Sequence, residues 1–234
     1  MVANVFPFPQ INEILADVAT GTIFRSIDMT KSFFQTCMHN DDVELMAVNV
    51  QWGLYEWVIM TIGIKNAPAI HQCQVTEVLQ PYIGRICHAY INNMAIWSKS
   101  LSEHTENMST ILQALSDHKL YINLKKNKTF PSEIHFLGHW ISAKGIELDE
   151  GKANCVANWP QPSVAKQVHG CLGLVCYPAA FLLKLAEQMT ILNELTRKEC
   201  DKVFPLWTAH HWHTFDSIKA LVMLTDCLTT IGQA

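Results

Sequence analysis

Three residues carry the side chains best suited to chemistry at a shared point: Asp28 and the adjacent pair Asn92-Asn93. Asp28 sits near the end of a predicted strand, Ile23 to Met29, where a carboxylate can lean toward a neighbouring strand tip, and carboxylate oxygens are what hard divalent cations select. Asn92-Asn93 separates two further β-type runs, Arg85 to Ile91 and Met94 to Ser98. A two-residue gap predicts a tight hairpin with this pair at its turn, and asparagine suits a turn because it tolerates positive φ and bonds its own backbone. On the residues alone, turn chemistry explains the asparagines, and a surface or capping role is the plainer reading of Asp28.

Other candidates are weaker. His210-His211-Trp212-His213 is the best metal-ligand cluster, but no second cluster stands at zinc spacing from it. The eight cysteines form no C-x-x-C pair and read as small buried hydrophobes. Lys119, Lys125, Lys126 and Lys128 make the one basic patch, which can be a solvated face or a phosphate contact. A net charge of −4 has the wrong sign for a protein that relies on phosphate contacts, so affinity for nucleic acid would need that patch.

The elements that must position these residues follow from periodicity. The 234 residues, 49% hydrophobic, suffice for one sizeable core or two small ones. Ile11, Ile14, Leu15 and Val18 predict a helix stopped by Gly21, followed by a strand over Ile23 to Met29. Glu44 to Gln51 and Leu54 to Met60 predict a hairpin about Trp52-Gly53. Pro68 opens a helix to about Leu79, and Ser100 with Glu103 forms a capping box before Met108, Ile111, Leu112 and Leu115. Strands over about Tyr121 to Leu124 and Ile134 to Ser142 complete a β-α-β-β-α-β order, a ferredoxin-like antiparallel sheet with helices on one face. Beyond Gly145 the pattern is helical, with Asp149 and Ser163 as caps and a last helix from Thr208 to about Leu224 that turns Trp212, Phe215, Ile218 and Val222 inward. No apolar run reaches 18 residues and no secretory signal opens the chain, so an intracellular setting, cytoplasm or nucleus, with no membrane partner is expected.

Several segments fall in one family's order. Phe24-Arg25-Ser26-Ile27-Asp28-Met29, Gly53-Leu54-Tyr55-Glu56-Trp57, Gly63-Ile64-Lys65-Asn66-Ala67-Pro68-Ala69, the Tyr90-Ile91-Asn92-Asn93 turn, Phe136-Leu137-Gly138-His139, Trp159-Pro160-Gln161-Pro162 and Leu172-Gly173-Leu174 resemble the motifs of reverse transcriptases from gypsy-class LTR retrotransposons and their retroviral relatives. The resemblance runs from about Phe6 to about Leu221. It implies an α+β fold: a polymerase palm with partial fingers over 1–142 (fingers-like insertion about 36–60), a helical thumb over 143–200 and the start of a connection segment over 201–234. It implies that Asp28 is the first catalytic aspartate, that Phe33 is the aromatic gate facing the nucleotide sugar, and that RNA or an RNA–DNA primer-template is a partner, with Lys125, Lys126 and Lys128 as contacts. A plainer reading makes Phe33-Phe34 ordinary core.

The departures matter as much. Where the family has two adjacent aspartates, this chain has Asn92 and Asn93. Leu45-Met46, Thr61-Ile62 and Tyr177-Pro178-Ala179 replace other family residues, a pattern of drift rather than of a designed double change. The family's cofactor is magnesium, held by three carboxylates, and this chain supplies Asp28 alone, so two-metal binding is expected to be lost. The expected function is a catalytically defective palm and thumb that can retain primer-template or RNA binding. The alternatives are a protein-interaction or structural module with a protein partner, and a residually active RNA-directed DNA polymerase.

Overall fold

The computed structural model describes residues 4, 6–123, 132–179 and 185–223. It is an α+β chain that divides into two compact units, Met1–Leu137 and Gly138–Ala234. Among the described residues no helix is long and apolar enough to cross a membrane.

The first unit is organised on a three-stranded antiparallel sheet. Strand β1 (Ile23–Asp28) pairs with β5 (Asn93–Ser98), and β5 pairs with β4 (Cys87–Tyr90), giving the order β1-β5-β4. The register puts Ile27 opposite Met94, and Ala89 opposite Met94 on the other side, so these residues share one face. Helices α2 (Ala67–Leu79) and α3 (Leu101–Asp117) cover that face, through Val75, Leu79, Met108, Ile111 and Leu115, all fully or almost fully buried. Each helix begins where its local chemistry dictates. Pro68 needs no hydrogen-bond partner in a first turn, and the Ser100 Oγ accepts from the Glu103 N–H while Glu103 accepts from the Lys99 N–H at 2.9 Å.

The opposite face carries Phe24, His88 and Trp97 at one end, and α1 (Ile11–Val18) lies on it with Ile14, Leu15 and Val18 buried. His88 Nε2 meets Asp17 Oδ2 of α1 at 2.8 Å, and its ring stacks on Trp97. Gly21 follows α1 as expected, but for a different reason than a left-handed stop. A Cβ there would sit 2.8 Å from the Trp97 Cβ, so the glycine makes room for the sheet.

Beyond this sheet the unit holds a second hairpin, β2 (Ala47–Val50) with β3 (Gly53–Glu56). Val50 pairs with Gly53, so the turn is Gln51-Trp52 rather than Trp52-Gly53. Ile122 forms a single bridge with Met29 where a strand over Tyr121 to Leu124 was expected, and Leu124 lies outside the described residues. The strand expected over Ile134 to Ser142 is broken. Leu137 and Gly138 take φ of 50° and 75°, ending β6 (Glu133–Phe136) before β7 (His139–Ser142) begins.

Among its described residues the second unit contains the β7–β8 hairpin, with β8 at Gly145–Leu148, and the α-helices α4 (Glu150–Ala157), α5 (Ala165–Ala179), α6 (Leu185–Asn193) and α7 (Ala209–Met223). Their core is Val156, Val168, Cys171, Val175, Leu185, Leu192, Phe215, Ile218 and Val222. Asp149 caps α4 by accepting from the Gly151 and Lys152 N–H groups. Trp212, expected inward, is exposed on α7. His211 is used as a cap: its Nδ1 accepts from the Thr208 N–H at 3.2 Å, and its own N–H donates to the Thr208 Oγ1.

Candidate active site

Sheet register brings the three sequence-chosen residues together. Asp28, the last residue of β1, lies directly opposite Asn93, the first of β5, and Tyr90 pairs with Asn93 from the other side. Alternation places all three on the face that α1 covers at its far end. Around the strand tips that face is open enough to leave Asp28, Tyr90, Asn92 and Asn93 half-buried. The Asn92 Nδ2 donates to Asp28 Oδ1 at 3.3 Å, and the Asn93 Nδ2 donates to Asn92 Oδ1 at 3.4 Å. The Asn92 carbonyl accepts from the Met29 N–H at 2.9 Å, which ties the turn to the end of β1. The donor set at this point is thus one carboxylate and two amides.

The turn itself is shifted from its expected place. Because Tyr90 pairs with Asn93, the two turn residues are Ile91 and Asn92, and Asn93 belongs to the strand. Ile91 takes φ of 54°, a left-handed conformation that a β-branched residue adopts only at a cost of about 1–3 kcal/mol. A residue not anticipated from sequence holds it there. Gln72 is fully buried on α2; its Oε1 accepts from the Ile91 N–H at 2.6 Å and its Nε2 donates to the Ala89 carbonyl at 3.1 Å. The available signal was a glutamine at helical spacing from Val75 and Leu79, on the buried side of α2, a place where an amide needs built partners.

Phe33 lies in a short 3-10 turn, Ser32–Gln35, entered through Lys31 with φ of 45°. It is half-buried, and its ring meets His71 edge-on at 5.6 Å. Burial holds the His71 imidazole below its usual pKa, partly offset by the Ile91 backbone. His71 and Gln72 are adjacent on α2, so one turn of helix touches both the Phe33 ring and the Ile91-Asn92 turn. Gln35 fixes the far side. Its amide donates to the Thr30 and Tyr121 carbonyls and accepts from the Tyr121 N–H, while the Asn123 N–H donates to the Asp28 carbonyl at 2.8 Å. Lys125, Lys126 and Lys128 follow in the sequence and lie outside the described residues.

A three-stranded antiparallel sheet backed by two helices, with an acid at one strand end facing a tight hairpin turn, is the polymerase-palm class of architecture. The profile of the family described as reverse transcriptase (RNA-dependent DNA polymerase) matches residues 1–141, more than half the chain, and the chain belongs to that family. It is 31% identical over 196 residues to the retrovirus-related Pol polyprotein from transposon opus of Drosophila melanogaster, covering 84% of this chain and 20% of that protein. It is 30% identical over 216 residues to the transposon Tf2-7 polyprotein of Schizosaccharomyces pombe, covering 92% of this chain and 16% of the relative. The chain therefore spans about a fifth or less of the curated relatives it matches. Among solved structures, the fold is shared with foamy viral protease-reverse transcriptase in complex with RNA/DNA hybrid, with a TM-score of 0.75 at 19% identity over 95% of this chain and 30% of that one. It is shared too with the dRH form of that protein in complex with double-stranded DNA, with a TM-score of 0.80 at 21% identity over 95% and 39%.

Proposed function

We propose that this chain is a palm and thumb derived from a retrotransposon Pol protein that has lost two-metal nucleotidyl transfer while keeping the frame of the polymerase site. In this reading residues 1–142 are palm with partial fingers, 143–200 thumb, and 201–234 the start of a connection segment. The observation that carries the reading is the facing of Asp28 by Asn93 and by the Asn92 amide.

Two divalent ions about 3.5–4 Å apart bring four positive charges into a small volume. Three carboxylates offset most of that charge; Asp28 alone offsets a quarter of it. An asparagine supplies a neutral carbonyl oxygen and cannot bridge two ions, and here the Asn92 amide turns its N–H toward the one carboxylate that a cation would need. The residues present do not fit a two-magnesium clamp, so no step of transfer is assigned to them. Phe33, backed by His71, remains a nucleotide-gate residue in position only.

The decisive experiment is primer extension on a defined template with magnesium. The expected result is no template-dependent extension by this chain, and any such extension overturns the reading. Restoring Asn92→Asp and Asn93→Asp together is expected to crowd three carboxylates. That should lower Tm in chelator by roughly 4–8 °C, corresponding to about 2 kcal/mol, with recovery on adding magnesium. An unchanged or raised Tm in chelator removes the electrostatic account.

Binding is the activity proposed to survive. The foamy viral protease-reverse transcriptases that share the fold are complexes with RNA/DNA hybrid and with double-stranded DNA, which supports primer-template or RNA as the ligand, with Lys125, Lys126 and Lys128 as the proposed contacts. Fluorescence anisotropy with a labelled RNA–DNA primer-template is expected to show binding that weakens steeply with salt. No binding at low salt would mean that the grip was lost with the chemistry.

A further inference from the structure

The entry into α7 repeats, with one side chain changed, the cap that opens α3. At α3 the Ser100 Oγ accepts from the Glu103 N–H, and the Glu103 carboxylate accepts from the Lys99 N–H. At α7 Thr208 takes the place of the serine: its carbonyl accepts from the Trp212 N–H at 3.2 Å and its Oγ1 accepts from the His211 N–H at 3.3 Å. The side chain that reaches back is an imidazole. His211 Nδ1 accepts from the Thr208 N–H at 3.2 Å, the reciprocal half of a capping box in which glutamate or glutamine is usual.

The exchange of acceptor changes how the cap answers to pH. A glutamate stays an acceptor down to about pH 4.3, whereas imidazole accepts only while neutral, because its protonated ring carries an N–H on both nitrogens. Protonation would set one N–H of His211 against the Thr208 N–H. It would also add a positive charge at the helix end where the backbone dipole already concentrates one.

The box holds an aromatic cluster in place. Trp207, the residue before the cap, packs on Trp212 with ring centroids 5.3 Å apart, and meets Phe215 edge-on at 5.3 Å and His211 edge-on at 6.2 Å. Trp207 against Trp212 is the pairing of a hydrophobic staple, which fixes the angle at which the chain enters a helix. The Trp207 indole N–H is buried with no hydrogen-bond partner among the described residues, so the closed arrangement carries a donor that water would satisfy on opening.

We propose that the Thr208–His211 box is a pH-sensitive latch: proton uptake by His211 opens the first turn of α7 and frees Trp207, while the remainder of the helix stays docked. The docked part has its own anchors. Phe215, Ile218 and Val222 are buried, and Lys219 Nζ donates to the Trp159 carbonyl at 2.7 Å while lying over the Phe215 ring.

No neighbouring charge compensates an imidazolium at His211. His210 and His213 lie on the same first turns and Asp216 follows; among the described residues no carboxylate is within ion-pair distance of any of the three histidines, and His213 Nδ1 meets the Ser217 Oγ at 3.4 Å. The segment before the cap brings Asp201 and Lys202, α4 brings Glu150, Lys152 and Cys155, and α6 brings Glu187. None of these contacts His211, whose partners are Thr208 and the Trp207 ring. The latch is therefore closed above the ordinary histidine range, about pH 6.5, and opens as pH falls through it.

The test is residue-resolved amide exchange of the full chain by NMR at about pH 7.5 and 5.5, corrected for the intrinsic rates, with the imidazole nitrogens of His211 followed in parallel. At the higher pH the His211 proton should sit on Nε2. On acidification protection of the Thr208, His211 and Trp212 amides is expected to fall about five- to tenfold, while that of the Glu103 amide in the α3 cap holds. His211→Gln, which keeps an acceptor and cannot titrate, should remain protected at both pH values, and His211→Glu should do the same if the glutamine variant fails to fold. The double change His210→Gln with His213→Gln should leave the acid-induced loss in place. Protection that is independent of pH, a proton on Nδ1 at pH 7.5, the same loss in the His211 variants, or its disappearance in the His210 and His213 variant overturns the proposal.

Discussion

The first unit contains two hairpins with the same connection length and opposite fates. The β4–β5 hairpin turns through Ile91-Asn92 and the β2–β3 hairpin through Gln51-Trp52, each a two-residue loop. In β5 the residues from Met94 to Ser98 are all buried; in β2 and β3 every residue is exposed. Helices α2 and α3 cover one side of β4–β5 and α1 part of the other, while among the described residues none of the α-helices covers β2–β3 as a layer. The difference shows what sets the position of a candidate site. Layers on both faces can hold even a β-branched residue at positive φ, as at Ile91, because Gln72 and the flanking strands leave its backbone no alternative. A hairpin without layers has correct local chemistry and no fixed partner.

Core truncation separates the two most sharply. Ile96→Ala, fully buried at the centre of β5, is expected to destabilise the chain by about 2–5 kcal/mol, whereas Val50→Ala should change stability by less than about 0.5 kcal/mol. Chemical denaturation of both variants checks this, and comparable losses would show that β2–β3 is packed after all.

A smaller effect is expected at the polar link between helix and turn. Gln72→Ala leaves the Ile91 N–H and Ala89 carbonyl without the amide they use, at a cost of about 1–3 kcal/mol, and should raise hydrogen exchange at Ile91 before that of β5 as a whole. Equal exchange across the hairpin would mean that the turn is held by the sheet alone.

The smallest effect is on pH. His71 sits below its usual pKa because of burial, and His104 does so because of burial and then the nearby Arg25, against an opposing pull from Glu103. A histidine whose folded pKa is depressed binds protons more readily when unfolded. Its contribution is therefore complete above about pH 6.5 and is lost as pH falls from there through the folded value. Thermal melts from pH 7.5 to about 5 should show a falling Tm, with a shallower fall in His71→Phe. An identical slope in that variant would assign the dependence to other groups.

Much of the frame was legible because it depends on local physics. The capping box at Ser100 and Glu103, Pro68 in the first turn of α2, and the periodicity of α1 each state a preference that needs no distant partner. The motif order, from Asp28 through the Asn92-Asn93 segment, is by itself enough to point to the family. What escaped was set by contacts far apart in sequence. The turn moved by one residue because the pairing of Tyr90 with Asn93 is fixed by the register of a three-stranded sheet, and that shift put Asn93 opposite Asp28 rather than at a loop tip. The strand expected through Ile134 to Ser142 broke at Leu137-Gly138, where two successive positive φ values turn the chain.

Sequence by itself determined which side chains are available here: one carboxylate and two amides where three carboxylates would be needed to offset two divalent ions, whatever the surrounding geometry. Tertiary structure alone decided that these three meet, that Gln72 and His71 stand behind them on one helical turn, and that the β2–β3 face is left open. The reason is that charge and hydrogen-bonding capacity belong to residues, whereas facing, burial and exposure belong to pairs of elements brought together across many tens of residues of chain.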